Sequence, residues 1–74
     1  MTTKTAADLQ KWDVIRFRRS SERYFRTGLV WSVDSESFAG ITTTFVTVEV
    51  NDKKQLLSLT DSVEWAFLGS MAAA

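Results

Sequence analysis

One segment, residues 42–50, constrains the fold of this 74-residue chain more than any other. It reads Thr-Thr-Thr-Phe-Val-Thr-Val-Glu-Val, so its three valines alternate with aromatic or polar side chains. This period of two predicts a β-strand with one buried face. β-Branched side chains suit such a strand because their restricted rotamers cost little on a pleated surface. We expect it to pair with a second β-rich segment, residues 25–33, through a polar loop at residues 34–40.

Three further strands are predicted by shorter alternating segments at residues 13–19, 55–59 and 63–68. Residues 51–54, Asn-Asp-Lys-Lys, indicate a tight turn before the fourth strand, because asparagine and aspartate tolerate turn dihedral angles. Thr5 followed by Asp8 is typical of a helix start, so a short helical turn is expected at residues 6–10. The sequence therefore predicts an all-β chain of five strands with one short N-terminal helical turn.

Two residues in the central segments do not follow the alternation. Gly28 interrupts the second strand, where glycine often marks a bulge, and a shift of register there would make Val30 part of the core. Phe38 is a lone aromatic residue within the polar loop. We expect Phe38 to fold back as a lid on the core, with contact to a partner as the alternative.

The composition excludes several classes of site. The chain has no cysteine and no histidine, which excludes disulfides, thiolate metal sites and catalysis by a histidine base. No group of carboxylates is spaced as in a calcium-binding loop, and we expect neither a metal nor a cofactor. The N-terminus lacks the apolar core of a signal peptide, and no apolar run approaches the ~20 residues of a membrane helix. We therefore expect a cytoplasmic protein that does not bind membranes.

Charge is unevenly distributed along a chain whose formal net charge is zero. Residues 1–26 carry seven basic and three acidic side chains, whereas residues 27–74 carry two basic and six acidic ones. The two parts therefore have opposite net charges of four units. Such asymmetry indicates either a basic binding face or attraction between two parts of the molecule or between subunits.

The order of the predicted elements resembles that of the SH3-like barrel, as seen in Tudor and KOW domains. The resemblance is carried by residues 12–17 (Trp-Asp-Val-Ile-Arg-Phe), 28–30, 45–48 and 56–59 and by Val63. Many such domains begin the first strand with glycine-aspartate, where this chain has tryptophan-aspartate. The resemblance implies a small five-stranded SH3-like barrel at residues 12–68, preceded by an N-terminal arm at residues 1–11 and followed by a disordered tail at residues 69–74. Closing five short strands into a barrel would also remove their exposed edges.

The sequence leaves two functions open. The first is a non-enzymatic protein-interaction or assembly module, such as a homo-oligomeric viral, phage or accessory protein. The nine aromatic side chains of the chain are many for one small core, and surplus aromatics on a surface are typical of interfaces. The alternative is a nucleic-acid-binding domain, in which arginines contact phosphates and aromatic rings stack on bases. The candidate binding residues for either function are Arg16, Arg18, Arg19, Arg23, Tyr24, Arg26 and Trp31.

Catalysis is the function that the sequence favours least. A serine nucleophile needs an adjacent base, and the chain has no histidine to provide one. The chain is similar in strand order to the plasmid-type dihydrofolate reductases, which place one active site at the centre of a tetramer. However, the central Val-Gln-Ile-Tyr run of that family has no counterpart in Gln-Leu-Leu-Ser-Leu at residues 55–59. We therefore expect no enzymatic activity.

Overall fold

The computed structural model describes residues 4–60 and 62–71 of the chain. Its elements are a 3₁₀ helix at Ala6–Asp8 and five strands, β1 Asp13–Arg19, β2 Arg26–Phe38, β3 Ile41–Val50, β4 Lys53–Leu59 and β5 Val63–Ser70. All neighbouring strands are antiparallel and form one sheet in the order β4-β3-β2-β1-β5. The prediction of an all-β chain with five strands is confirmed.

The core lies on one face of this sheet, because alternate residues of each strand point to that side. Its buried apolar residues are Leu9, Ile15, Phe17, Val30, Val46, Val48 and Leu57. Ile15 and Phe17 share this face in β1 as predicted, and Val46 and Val48 do so in β3. Burial of each such side chain contributes about 1.5–3 kcal/mol. The alternation in residues 42–50 therefore identified the buried face of its strand.

Strand β2 is longer than predicted, which corrects the expected loop at residues 34–40. Pairing with β3 continues to the last residue of β2, where Phe38 lies opposite Ile41. Ala39 and Gly40 then form a two-residue turn, with φ values of 54° and 80°. The distal part of this hairpin extends past the core, so its side chains are mostly polar. Alternation of apolar and polar residues indicates that one face of a strand is buried, but it does not indicate whether the strand is paired. These paired residues have no buried face, so the pattern missed them.

The irregularity in β2 occurs at Trp31 and not at Gly28. Val30 pairs with Val48 and Ser32 pairs with Thr47, so Trp31 is the extra residue of a bulge. Gly28 has another role, because a Cβ atom there would lie 3.1 Å from Cε1 of Phe17 and 3.1 Å from Cβ of Val48. Close packing of the core against the backbone therefore favours glycine at this position.

The sheet is open, with β4 and β5 at its two edges. Within the described residues these strands do not pair with each other, so the expected closure into a barrel is not formed by backbone hydrogen bonds. The side chain of Arg19 instead connects the end of β1 to β4. Its Nη2 donates to Oε1 of Gln55 at 3.2 Å and to the carbonyl oxygen of Leu56 at 3.4 Å.

The last strand also extends beyond its predicted end. Residues 69 and 70, which we expected to begin a disordered tail, belong to β5 and pair with the start of β1. The backbone N–H of Met71 donates to the carbonyl oxygen of Trp12 at 2.7 Å. Residues 72–74 lie outside the described part of the chain. The contacts of β5 therefore anchor the chain through residue 71.

Candidate interaction surface

Exposed apolar side chains lie on the face of β2, β3 and β4 opposite the core. The register places Phe38 opposite Ile41 and Asp34 opposite Phe45, all on this outer face. Phe38, Ile41 and Leu56 are 85%, 70% and 61% exposed. We define the hairpin patch as Asp34, Glu36, Phe38, Ile41, Phe45 and Leu56.

The hairpin patch is continuous, because two depressions in the surface share part of their lining. One is lined by Asp34, Ser35, Glu36, Phe45 and Leu56, and the other by Glu36, Phe38, Ile41, Thr43 and Phe45. Both therefore contain the ring of Phe45 and the carboxylate-bearing side chain of Glu36. The depression at Phe38 and Ile41 is mainly apolar, whereas the depression at Asp34 and Leu56 is half polar, so the surface combines apolar side chains with an acidic margin.

The position of Phe38 corrects the expectation that its ring covers the core. Because β2 continues to this residue, alternation places the ring on the outer face, and the hairpin tip lies beyond the core. The ring is consequently among the most exposed apolar groups of the described residues.

Two tryptophans lie near the other end of the same hairpin. The ring centroids of Trp12 and Trp31 are 5.4 Å apart. Nζ of Lys11 lies 5.0 Å and 4.9 Å from these two centroids, and Nζ of Lys54 lies 4.2 Å from that of Trp31. The chain's own lysines therefore cover both rings through cation–π contacts. The candidate residue Trp31 belongs to this pair and is half-buried.

Trp12 has an unusual backbone conformation, with φ of 78°. This left-handed region is rare for residues other than glycine. Two hydrogen bonds hold it, since the N–H of Trp12 donates to the carbonyl oxygen of Val30 at 2.9 Å and its own carbonyl oxygen accepts from Met71. Ring packing against Trp31 also holds the residue in place.

The candidate arginines surround the end of β1 and the loop that follows, where carboxylates pair with three of them. Arg18 forms an ion pair with Glu64 across β1 and β5. Arg19 and Arg26 both pair with Glu22, at N–O distances of 3.5 Å and 3.1 Å. These three guanidinium groups are therefore partly neutralised within the chain.

Glu22 organises the loop through these contacts. The backbone N–H of Arg19 donates to Oε1 of Glu22 at 3.1 Å. This hydrogen bond lowers the pKa of the Glu22 carboxyl group below its ordinary value, and the charges of Arg26 and Arg19 act in the same direction. Glu22 therefore remains ionised and keeps its two arginines in place. The sequence left open whether these arginines bind a partner or attract acidic parts of the molecule, and Arg19 and Arg26 do the second.

The two other candidate arginines, one in β1 and one in the loop, are exposed. Arg16 and Arg23 form no ion pair within the described residues, and Tyr24 is 77% exposed. The guanidinium carbon of Arg16 lies 4.4 Å from the centroid of Phe25, whose ring is 40% exposed. We define Arg16, Arg23, Tyr24 and Phe25 as the loop patch.

Sequence reasoning gave partner contact as the alternative role of Phe38 and missed the rest of the hairpin patch, although a signal was present. Gly40 lies between Phe38 and Ile41, so a two-residue turn there would have paired these apolar residues on one face.

Sequence reasoning also missed Asp13, which is buried and accepts hydrogen bonds from Nζ of Lys4 at 3.0 Å and from the backbone N–H of Gln10 at 2.9 Å. Asp13 is fully engaged in anchoring the N-terminal arm.

Neither a metal site nor a membrane span is found in the described part of the chain. No three acidic side chains there converge to form a site for a cation, and none of its helices has the length and apolar character needed to cross a membrane. Comparison with known proteins gives no relative, since no family model, no curated protein and no solved structure matches this chain.

Proposed function

We propose that this chain is a non-enzymatic assembly module with an SH3-like strand arrangement, and that it binds another protein chain through the hairpin patch. The observation that carries this proposal is the exposure of Phe38, Ile41 and Leu56 on one face of the sheet. Contiguous exposed apolar surface on a small domain is typical of an interface. The acidic margin at Asp34 and Glu36 is typical of the polar rim that surrounds such a surface.

The apolar side chains of the patch supply a moderate part of the binding free energy. Full burial of Phe38, Ile41 and Leu56 would contribute about 5–9 kcal/mol in total, at about 1.5–3 kcal/mol for each. Loss of translational and rotational freedom costs an estimated ~4–15 kcal/mol on association. The two quantities are comparable, so a stable complex needs further contacts. We assign these contacts to the acidic margin, which would bind a basic surface.

The SH3-like part of the proposal is supported by the strand order. β5 lies beside β1, and β2, β3 and β4 follow one another across the sheet. The hydrogen bonds from Arg19 bring the end of β1 to the opposite edge strand, β4.

Nucleic-acid binding is the second candidate, favoured by the unpaired Arg16 and Arg23 beside the exposed ring of Tyr24. Its support is weaker because Arg18, Arg19 and Arg26 pair with carboxylates. Two unpaired arginines would give a log–log salt dependence with a slope of only about −1.5 to −2. Anisotropy titration of an oligonucleotide at two salt concentrations measures this slope.

Photo-crosslinking tests the proposed interface. The photoreactive residue p-benzoylphenylalanine would replace Phe38 in the hairpin patch and, as a matched control, Leu68, which is 55% exposed on β5. After irradiation in the cells that produce the chain, mass spectrometry identifies the adducts. We expect polypeptide adducts from position 38, a lower yield when Leu56→Ser is added, and few adducts from position 68. Equal yields at both positions, or adducts with nucleic acid alone, would contradict the proposal.

A further inference from the structure

We propose that the partner of the hairpin patch is a second copy of this chain, which binds head to tail through its loop patch. This inference rests on the proposed function and adds the identity of the partner and the orientation of the contact. Its basis is the complementarity of two surfaces that both lack partners within the described chain.

The two patches have opposite charges. Asp34 and Glu36 form no ion pair within residues 4–60 and 62–71, and both are exposed at the margin of the hairpin patch. Arg16 and Arg23 are likewise exposed and unpaired within the described residues. Each patch therefore presents two free charges that the other can neutralise, which steers association and fixes its register.

The apolar parts of the patches also fit this contact. Tyr24 is 77% exposed beside Arg23, and Phe25 is held under the guanidinium group of Arg16. Tyrosine and arginine are among the residue types enriched at the centre of strong interfaces. The depressions on both sides of Phe45 offer an apolar surface for such a ring.

A two-fold contact between identical patches is disfavoured by the same charges. Joining two hairpin patches would bring Asp34 and Glu36 of one copy against the same carboxylates of the other. Joining two loop patches would similarly oppose arginines. Juxtaposed like charges disfavour an interface, whereas a head-to-tail contact opposes Asp34 and Glu36 to Arg16 and Arg23.

The position of the patches on the fold prevents them from meeting within one chain. Phe25 precedes the first residue of β2, and Phe38 is its last residue. A straight strand of this length would span roughly 40 Å, and the longest dimension of the molecule is 38 Å, so the two patches lie towards opposite ends of β2. When each copy uses its hairpin patch on one neighbour and its loop patch on another, the contact is heterologous and produces a ring or a filament.

Charge reversal tests the head-to-tail contact. The hairpin variant carries Asp34→Arg and Glu36→Arg, the loop variant carries Arg16→Glu and Arg23→Glu, and a third variant combines all four substitutions. The third variant has the net charge of the original chain, so it controls for general effects of charge. All four positions are exposed, and thermal unfolding monitored by tryptophan fluorescence checks that each variant is folded. Sedimentation velocity over a wide range of concentration measures association.

We expect the unmodified chain to associate with increasing concentration and to dissociate at high salt, because exposed charges are screened. The hairpin and loop variants should each associate at least about tenfold more weakly. Mixing them in equal amounts should restore association, since each reversed patch complements the other. The combined variant should associate like the original chain.

Two results would overturn the inference. In the first, the hairpin variant binds the original chain more tightly than the original chain binds itself, which indicates a two-fold contact between hairpin patches. The other is an original chain that remains monomeric at every concentration. In that case, adducts from position 38 with a different polypeptide would leave the proposed function standing, and the absence of polypeptide adducts would reject both.

Discussion

Replacing Gly28 with alanine tests whether the core is packed directly against the backbone of β2. The added methyl group would lie 3.1 Å from Cε1 of Phe17, 3.1 Å from Cβ of Val48 and 3.3 Å from Cγ2 of Val50. These distances are a few tenths of an ångström shorter than ordinary carbon contacts, which begin near ~3.5 Å. Cβ of Val48 is fixed to its backbone, so this neighbour moves only if β3 moves.

The expected effect follows from three contributions. Overpacking of a dense core typically costs about 1–3 kcal/mol. Two opposing effects reduce this cost, since burial of one methyl group contributes about 0.8 kcal/mol and alanine restricts the unfolded chain by about 0.4–1 kcal/mol. Contact with three neighbours places this site at the upper end of the overpacking range, and we expect a net loss of about 1–2 kcal/mol. At about 4–8 °C for each kcal/mol, the Tm should fall by roughly 5–15 °C.

Denaturant unfolding monitored by tryptophan fluorescence measures this loss. Gly40→Ala is the matched control, because it also adds a methyl group, has no atom within 4 Å and is strained only by its φ of 80°. Phe17→Leu removes Cε1 and should reduce the effect of Gly28→Ala by at least about 0.5 kcal/mol without changing that of Gly40→Ala. A Gly28→Ala variant as stable as the original chain would refute the packing argument. An effect of Gly28→Ala that is the same with and without Phe17→Leu would also refute it.

Two further predictions concern the strained tryptophan and the loop carboxylate. Trp12→Gly should be about 1 kcal/mol more stable than Trp12→Ala in thermal unfolding. Both variants lose the ring contact with Trp31, but only glycine adopts φ of 78° without strain. An alanine variant as stable as the glycine variant would contradict this. The pKa of Glu22 is lowered by folding, so its contacts stabilise the protein fully above its unfolded pKa, near ~4.3, and are lost as the pH falls through the lower folded value. Carboxyl-carbon NMR should show this lowered pKa, and Arg26→Gln should raise it; an unchanged value would exclude the influence of that ion pair.

The sequence predicted those parts of the fold that depend on burial and on local turn chemistry. The bounds of β1 were correct because Ile15 and Phe17 alternate with arginines up to its end. The turn predicted at residues 51–54 was correct for Asn51 and Asp52, which adopt the left-handed conformations that their side chains tolerate. Its other two residues, Lys53 and Lys54, belong to β4. Both signals are contained within a few consecutive residues.

Features that depend on distant residues were not predictable from the pattern. The pairing of Arg18 with Glu64 brings together residues of the first and last strands, and no local pattern indicates it. Hydrogen bonds from Arg19 to β4 depend in the same way on how the sheet curls. The distal part of β2 was missed because neither face is covered by the core, so its composition resembles a loop. From the sequence, binding residues were therefore chosen because they are arginine or aromatic. The exposed face of the hairpin depends instead on the register in which β2 pairs with β3.

The position of β1 between β2 and β5 has a consequence for the folding of the chain. β2, β3 and β4 pair with strands that precede or follow them directly, and these hairpins close short loops. β1 instead completes its pairing with β5, after nearly the whole domain has been synthesised. Closing such a long loop costs entropy before any contact is gained, and non-local pairing of this kind slows folding. Docking of β5 should therefore be the late step that limits the folding rate, and until it occurs the edge of β1 is available to other strands.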